Sequence, residues 1–196
     1  MTAQRHTAAP PPQTRRLGPD PGRRGRALAL ARPIVLRFLV LYPLAVLAVA
    51  GLLATDVVAT HVDTPVNVMT AHLAAWLMNA LGFASVAHGV NLTHGGLTVA
   101  VRTGCSGLEL LGVLLPAIVL FPAPARAKLI GVLAAIAVVV PLNAVRVASL
   151  SLLLATSTQA FDLAHLYFWQ AALIGALFAF FLAWVRNVAW PVPARS

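Results

Sequence analysis

Apolar residues in this chain fall into long blocks separated by short polar or proline-containing segments. Residues 33–54 form the first block, 105–121 the second, 129–154 the third and 165–185 the fourth. Blocks of this length predict membrane-spanning helices, which need roughly 17–25 apolar residues. Residues 66–82 read differently. Val66, Met69, Leu73, Trp76, Leu77 and Ala80 recur at steps of three and four, with Asn67, His72 and Asn79 between them. This spacing predicts an amphipathic helix lying at a membrane interface, with Gly82 ending it. Further on, Val86, Val90 and Leu92 precede Thr93-His94-Gly95-Gly96, and Leu97, Val99 and Val101 alternate with Thr98, Ala100 and Arg102. A period of two around paired glycines predicts a small β-hairpin. Its unpaired edges place it outside the hydrocarbon. Residues 55–65 and 155–164 are polar enough to predict loops.

Composition supports lipid as the main solvent. The 196 residues are 60% hydrophobic and only 10% charged, against about a quarter charged in a typical soluble domain. The expected fold is an all-α polytopic membrane protein: about four transmembrane helices, an external interfacial helix and a small β-hairpin ahead of the single cysteine. Residues 1–32, rich in Pro, Arg and Ala, read as a disordered basic cytoplasmic tail. Residues 33–187 are the membrane domain and 188–196 a short C-terminal tail. The first apolar block exceeds the roughly 7–15 residues of a signal-peptide core, which favours a retained anchor over a cleaved signal.

The net charge of +9 raises the question of nucleic acid. Its distribution answers against it. Arg5, Arg15, Arg16, Arg23, Arg24, Arg26, Arg32 and Arg37 precede or open the first block, with no aromatic residue among them. That is the basic flank of a first span. With this flank cytoplasmic, and residues 66–82 not crossing, Arg126 and Lys128 fall inside, as do Arg186 and Arg195. Twelve of the 14 basic residues are then cytoplasmic, the exceptions being Arg102 and Arg146. If residues 66–82 crossed, Arg126 and Lys128 would face outward, against the charge rule. One further consequence is that Cys105 opens the second block at its outer end and His165 opens the fourth at the same end. Arg146, at ~1.5 Å per residue, lies about 25 Å into the third, near the outer face.

These three residues carry the candidate chemistry. Cys105 sits in Thr103-Gly104-Cys105-Ser106-Gly107-Leu108-Glu109, at a predicted helix start. A cysteine attacks as its thiolate, which helix N-termini and nearby cations favour; a small buried residue is the competing reading. Arg146 inside an apolar block costs on the order of 2.5–3.5 kcal/mol to insert, so it is functional or paired. Pro141 weakens its helix, and Asn143 lies one turn earlier on the same face. Glu109, one turn after Cys105, is its candidate ion-pair partner, and Arg146 can also stabilise an oxyanion. His165 is the natural acid and base; beside Tyr167 and Trp169 it also reads as part of an aromatic belt. His61, His72, His88 and His94 match no compact metal spacing, so neither a metal nor another cofactor is expected.

Taken together, Cys105-Ser106-Gly107-Leu108 at a helix start, Asn143-Ala144-Val145-Arg146 in the next helix and His165 at the start of the one after resemble the exosortase/archaeosortase family of membrane transpeptidases. The resemblance runs from about residue 66 to 185. It implies Cys105, Arg146 and His165 as the catalytic set; Asn143, Glu109 and Ser106 stand beside them as supporting residues. It also implies cleavage of a C-terminal sorting signal of exported proteins through a thioester on Cys105, with transfer to an acceptor or release. The implied partners are the sorting-signal helix and the lipid bilayer, not nucleic acid. The implied place is the cell (inner) membrane, with the site on the periplasmic or extracellular side. Two other readings stand beside it. Gly104-Cys105-Ser106-Gly107 also fits the pattern of rhomboid-like serine proteases, with Ser106 as nucleophile and His165 as base. A non-enzymatic scaffold or assembly factor would use Arg146 and Glu109 as a structural pair.

Overall fold

The computed structural model describes residues 21–102 and 104–189, with side chains from Leu36 onward. Residues 1–20 of the expected basic tail and 190–196 of the expected C-terminal tail lie outside the described residues, as does Thr103. The chain divides into two units, Met1–Arg37 and Phe38–Ser196. In the first, the described residues are helical from Pro21. Proline suits a first helical turn, and the Arg, Ala and Leu residues that follow are strong helix formers. The second unit carries the candidate site.

Helix α1 (Pro21–Leu53) is followed by α2 (Asp56–Val58), a π-turn over Ala59–Asp63 and α3 (Thr64–Ala80). The segment expected as a loop at 55–65 is therefore helical. Thr55 caps it, its hydroxyl accepting from the Val58 N–H at 3.5 Å. Helix α3 is where the periodicity predicted a helix, but the face it packs is not the apolar stripe. Asn67, Thr70, Ala71, Ala74, Ala75 and Met78 are buried, while Met69 and Trp76 are exposed. In water a stripe of large apolar residues must be covered. Against lipid it need not be, and small residues let helix backbones approach closely. Asn79 closes the helix end, its amide donating to the Ser85 carbonyl and accepting from the Ser85 N–H at 2.9 and 3.0 Å.

That clamp starts a sheet rather than a hairpin. Strands β1 (Ser85–His88), β2 (Asn91–His94) and β3 (Leu97–Ala100) form an antiparallel meander in the order β1-β2-β3. The extra strand, β1, is held by Asn79 and by Ser85 Oγ donating to the Ala75 carbonyl at 3.1 Å. Leu92 and Val101 drop from the sheet onto Ala71, Ala74, Ala75 and Met78 of α3, and onto Val147 and Ala148 of the long helix over Ala125–Thr156. Cys105 packs at the border of this cluster.

Among the described residues, three helices are long and apolar enough to cross a membrane: Leu36–Leu53 of α1, α5 (Ala125–Thr156), and a continuous helical run over Thr158–Ala189. Helix α4 (Leu108–Leu120) has 13 residues. At ~1.5 Å per residue it is about 20 Å long, short of a hydrocarbon core of about 30 Å. The expected second span is thus a shorter element, because a glycine-flanked turn takes its first residues and Phe121-Pro122 ends it. The last run comprises α6 (Thr158–Leu163), a π-turn over Ala164–Phe168, α7 (Trp169–Trp184) and a π-turn over Val185–Ala189. The expected loop at 155–164 is mostly helix, broken only at the extended Ser157, whose Oγ caps α6 by accepting from the Ala160 N–H at 3.3 Å. At the far end of the bundle, Leu114 and Ile118 of α4 pack with Ala135 and Val139 of α5 and with Trp184 of α7. The Trp184 indole donates to the Ala127 carbonyl at 3.0 Å. Gly131 leaves room for that ring: a Cβ there would lie 2.5 Å from Trp184 Nε1.

Candidate active site

The site is built on the turn between β3 and α4. Two glycines shape it, Gly104 with φ +91° and Gly107 with φ +82°, in the left-handed region that side-chain-bearing residues avoid. Gly107 has a second reason to be glycine. A Cβ there would meet Asn143 at 3.3 Å, so its absence lets the turn lie directly on α5. Cys105 is held between the two glycines, half-buried. Its N–H donates to the Arg102 carbonyl at 2.8 Å, which closes the turn back onto the sheet.

Three side chains fix this turn from below and from the side. Asn143 Nδ2 donates to the Cys105 carbonyl at 2.6 Å, and Arg146 Nη1 donates to the Gly104 carbonyl at 3.3 Å. The two donors lie one turn apart on α5 and are both buried, 0% and 3% exposed. Their i, i+3 spacing is what lets them grip consecutive carbonyls. Glu109 holds other groups of the same turn. One carboxylate oxygen accepts from the Gly104 N–H at 2.6 Å and the other from Ser106 Oγ at 3.4 Å. The ion pair considered between Glu109 and Arg146 is therefore not formed. The two charges instead meet at one residue, Gly104, whose N–H serves the acid and whose C=O serves the cation.

Arg146 is left with donor capacity. Its Nε is buried and has no hydrogen-bond partner among the described residues; the same is true of Asn143 Oδ1 and His165 Nδ1. Buried polar groups without partners are rare. Here three of them belong to residues around one turn.

His165 lies in the π-turn that joins α6 to α7. Such turns insert an extra residue and re-aim side chains, often at functional sites. Phe161, one turn earlier, stacks flat on the imidazole with centroids 5.6 Å apart. Trp169, one turn later, is buried rather than part of an aromatic belt. Its indole donates to Ser149 Oγ at 3.1 Å, and that hydroxyl donates to the Arg146 carbonyl at 2.9 Å. The turn bearing His165 is thus hooked to the turn of α5 that bears Arg146. Tyr167 and Phe168 point outward, 69% and 63% exposed.

Cys105 and His165 line one cavity of about 260 Å³, with β3, Arg102, Val147, Leu150 and Phe161 as its other walls. Arg146 reaches the same turn from beneath. Of the three residues singled out in the sequence, Cys105 of the β3–α4 turn and His165 of the α6–α7 junction share the cavity, while Arg146 of α5 is not among its walls and holds the turn through the Gly104 carbonyl. Ser106 does not share the cavity. It is 5% exposed, and its Oγ is engaged by Glu109 and by the Leu108 N–H at 3.3 Å, as a helix-start hydroxyl. Two participants escaped the sequence reading. Arg102 had a signal: with Arg146 it is one of two basic residues that charge bookkeeping leaves outside the cytoplasm. Phe161 had none, since its place beside His165 depends on a helix where a loop was expected.

No curated protein and no solved structure matches the chain. A family model described as transmembrane exosortase (Exosortase_EpsH) matches residues 27–186. That match takes in every helix and strand that builds the cavity, and by it the chain belongs to the transmembrane exosortase family.

Proposed function

We propose that this protein is a membrane cysteine transpeptidase that cleaves the C-terminal sorting signal of exported proteins through a thioester on Cys105. Membership of the exosortase family points to a transpeptidase-like role. The observation that carries the finer reading is the turn itself. The chain's single cysteine is held on a glycine-flanked turn, its own carbonyl and that of Gly104 anchored by Asn143 and Arg146, in one cavity with His165.

The chemistry follows from these positions. Cys105 Sγ attacks the scissile carbonyl and forms a C–S bond. Arg146, a buried cation with an uncommitted N–H, stabilises the oxyanion that develops. His165, having taken the Cys105 thiol proton, delivers it to the departing amine as the C–N bond breaks, leaving the acyl group as a thioester. An acceptor nucleophile, or water, then displaces Cys105 and the thiol is restored. Glu109 and Asn143 act as positioning residues: they hold the backbone of the turn and touch no reacting atom. With α4 and its preceding turn counted together as a crossing, the orientation that keeps most basic residues cytoplasmic gives this cavity the outer face, where the polar backbone of the sheet is not in hydrocarbon.

Ser106 is the nucleophile of the rhomboid-like reading, and its burial and engagement at the start of α4 weigh against it. The test is a comparison of Cys105→Ala with Ser106→Ala. Each variant is expressed with a membrane substrate ending in a short motif, an apolar helix and a basic cluster. Processing should disappear with Cys105→Ala and fall only modestly with Ser106→Ala. The reverse pattern sinks the thiol mechanism, and full activity in both favours a scaffold.

A further inference from the structure

Four consecutive residues, Val99, Ala100, Val101 and Arg102, line the cavity that contains Cys105. Val99 and Ala100 end β3, and Val101 continues its register through the bond of its N–H to the Val90 carbonyl; side chains along such a segment alternate between faces, so no single face can supply four neighbours in a row. The cavity must run along the edge of the strand, where the backbone itself is the wall. β3 is the last strand of the sheet, and its far side has no neighbour in the meander.

The hydrogen-bond register says which groups face that edge. Val99 pairs with Leu92 and Ala100 with Asn91, and the Val101 N–H donates to the Val90 carbonyl at 2.8 Å. In an antiparallel ladder, pairs that exchange hydrogen bonds alternate with pairs that do not. Val99 and Val101 therefore commit their groups to β2. Thr98 and Ala100 turn both N–H and C=O away from β2, and of the two Ala100 lines the cavity. The next outward carbonyl, that of Arg102, already accepts from the Cys105 N–H, so the row of free groups leads to the thiol. Across the cavity stand Phe161 and His165, with Val147 and Leu150 as the floor. An open strand edge is a template for another strand, and one in contact with lipid is not tolerated.

We infer that the edge of β3 is the substrate-docking element: the segment carrying the scissile bond binds as a fourth, extended strand, hydrogen-bonded to Ala100 and Thr98, which delivers its carbonyl to Cys105. This rests on the thiol reading above and adds to it a mode of recognition. Main-chain bonds supply the grip, and only alternate side chains of the bound segment enter the cavity. The continuity of the edge with the thiol selects this occupant, because a segment bound there cannot avoid Cys105.

The experiment uses the full chain in membranes and two alkylating probes. Iodoacetamide needs no docking. Acetyl-Ala-Ala-Ala chloromethyl ketone offers an extended backbone; its methylene carbon bonds to Sγ as chloride leaves. Two further probes carry one N-methyl group each, on the second or on the third alanine. A docked strand turns alternate N–H groups to its neighbour, so one N-methyl probe should react at least about tenfold more slowly and the other within about twofold. Ala100→Pro removes an outward N–H without touching a ladder bond, as proline on an edge strand can. It should slow the peptide probe about fivefold or more and leave iodoacetamide unchanged. Equal sensitivity at both N-methyl positions overturns the docking mode while the thiol reading stands. Failure of iodoacetamide to label Cys105 brings down both. A Thr98→Cys, Cys105→Ser chain that oxidises to a dimer in membranes puts a second copy on the edge and also overturns the proposal.

Discussion

Asn143→Ala removes one of the two bonds by which α5 grips the cysteine turn. The lost contact is short, 2.6 Å from Nδ2 to the Cys105 carbonyl, and the donor is fully buried. A hydrogen bond of this kind contributes about 0.5–1.5 kcal/mol net, and stranding its partly buried partner raises the loss to at most about 1–3 kcal/mol. Among the described residues, Arg146 to Gly104 is then the remaining anchor from α5, at a longer 3.3 Å. If the whole loss falls on the competent conformation of the turn, that conformation becomes the minor one and its population bounds activity. Processing should then drop by about five- to a hundredfold. Two assays separate this from simple unfolding. Thermal stability in detergent should fall by no more than the same few kcal/mol, and alkylation of Cys105 by iodoacetamide should persist at an altered rate. Processing within twofold of the parent, with an unchanged alkylation rate, would show that Asn143 does not hold the turn.

Three other outcomes follow from the same contacts. Gly131→Ala drives a Cβ against the Trp184 ring and disturbs its bond to Ala127; it should lower stability by about 1–3 kcal/mol, as overpacking does, while leaving Cys105 alkylation in the folded fraction unchanged. Trp169→Phe keeps an aromatic ring but deletes the donor to Ser149; a loss of about 0.5–1.5 kcal/mol should appear as a several-fold fall in processing, and an unchanged rate would disconnect Trp169 from the setting of His165. A maleimide that cannot cross membranes should reach Cys105 from the outer side of intact cells; labelling from the cytoplasmic side alone reverses the proposed orientation.

Much of this architecture can be read from residues whose signal is local. Long apolar blocks mark the spans because nothing else in a chain needs such runs. Asn143 and Arg146 announce themselves because polar groups inside apolar helices are expensive, and their spacing already puts them on one face. What stayed hidden depends on partners or on solvent. The buried face of α3 was misread because an apolar stripe means burial only in water. β1 was missed because Ser85 to His88 carries little alternation, and its place is set by Asn79 from outside the strand. The second apolar block looked like a full span because hydrophobicity does not reveal that Gly104 to Gly107 fold back as a turn. The role of Glu109 was legible as proximity to Cys105, but its choice of the Gly104 N–H over Arg146 is a matter of geometry.

The central claim is a covalent bond between Cys105 and substrate. Its most direct measurement is mass spectrometry of the protein quenched in acid during turnover of a sorting-signal substrate, followed by sequencing of the tryptic peptide that runs from Thr103 to Arg126. An acyl adduct is expected on Cys105, readily removed by hydroxylamine and absent from Cys105→Ala. An adduct on Ser106, or turnover without any adduct in this peptide when Cys105 is replaced by Ala, would contradict the claim.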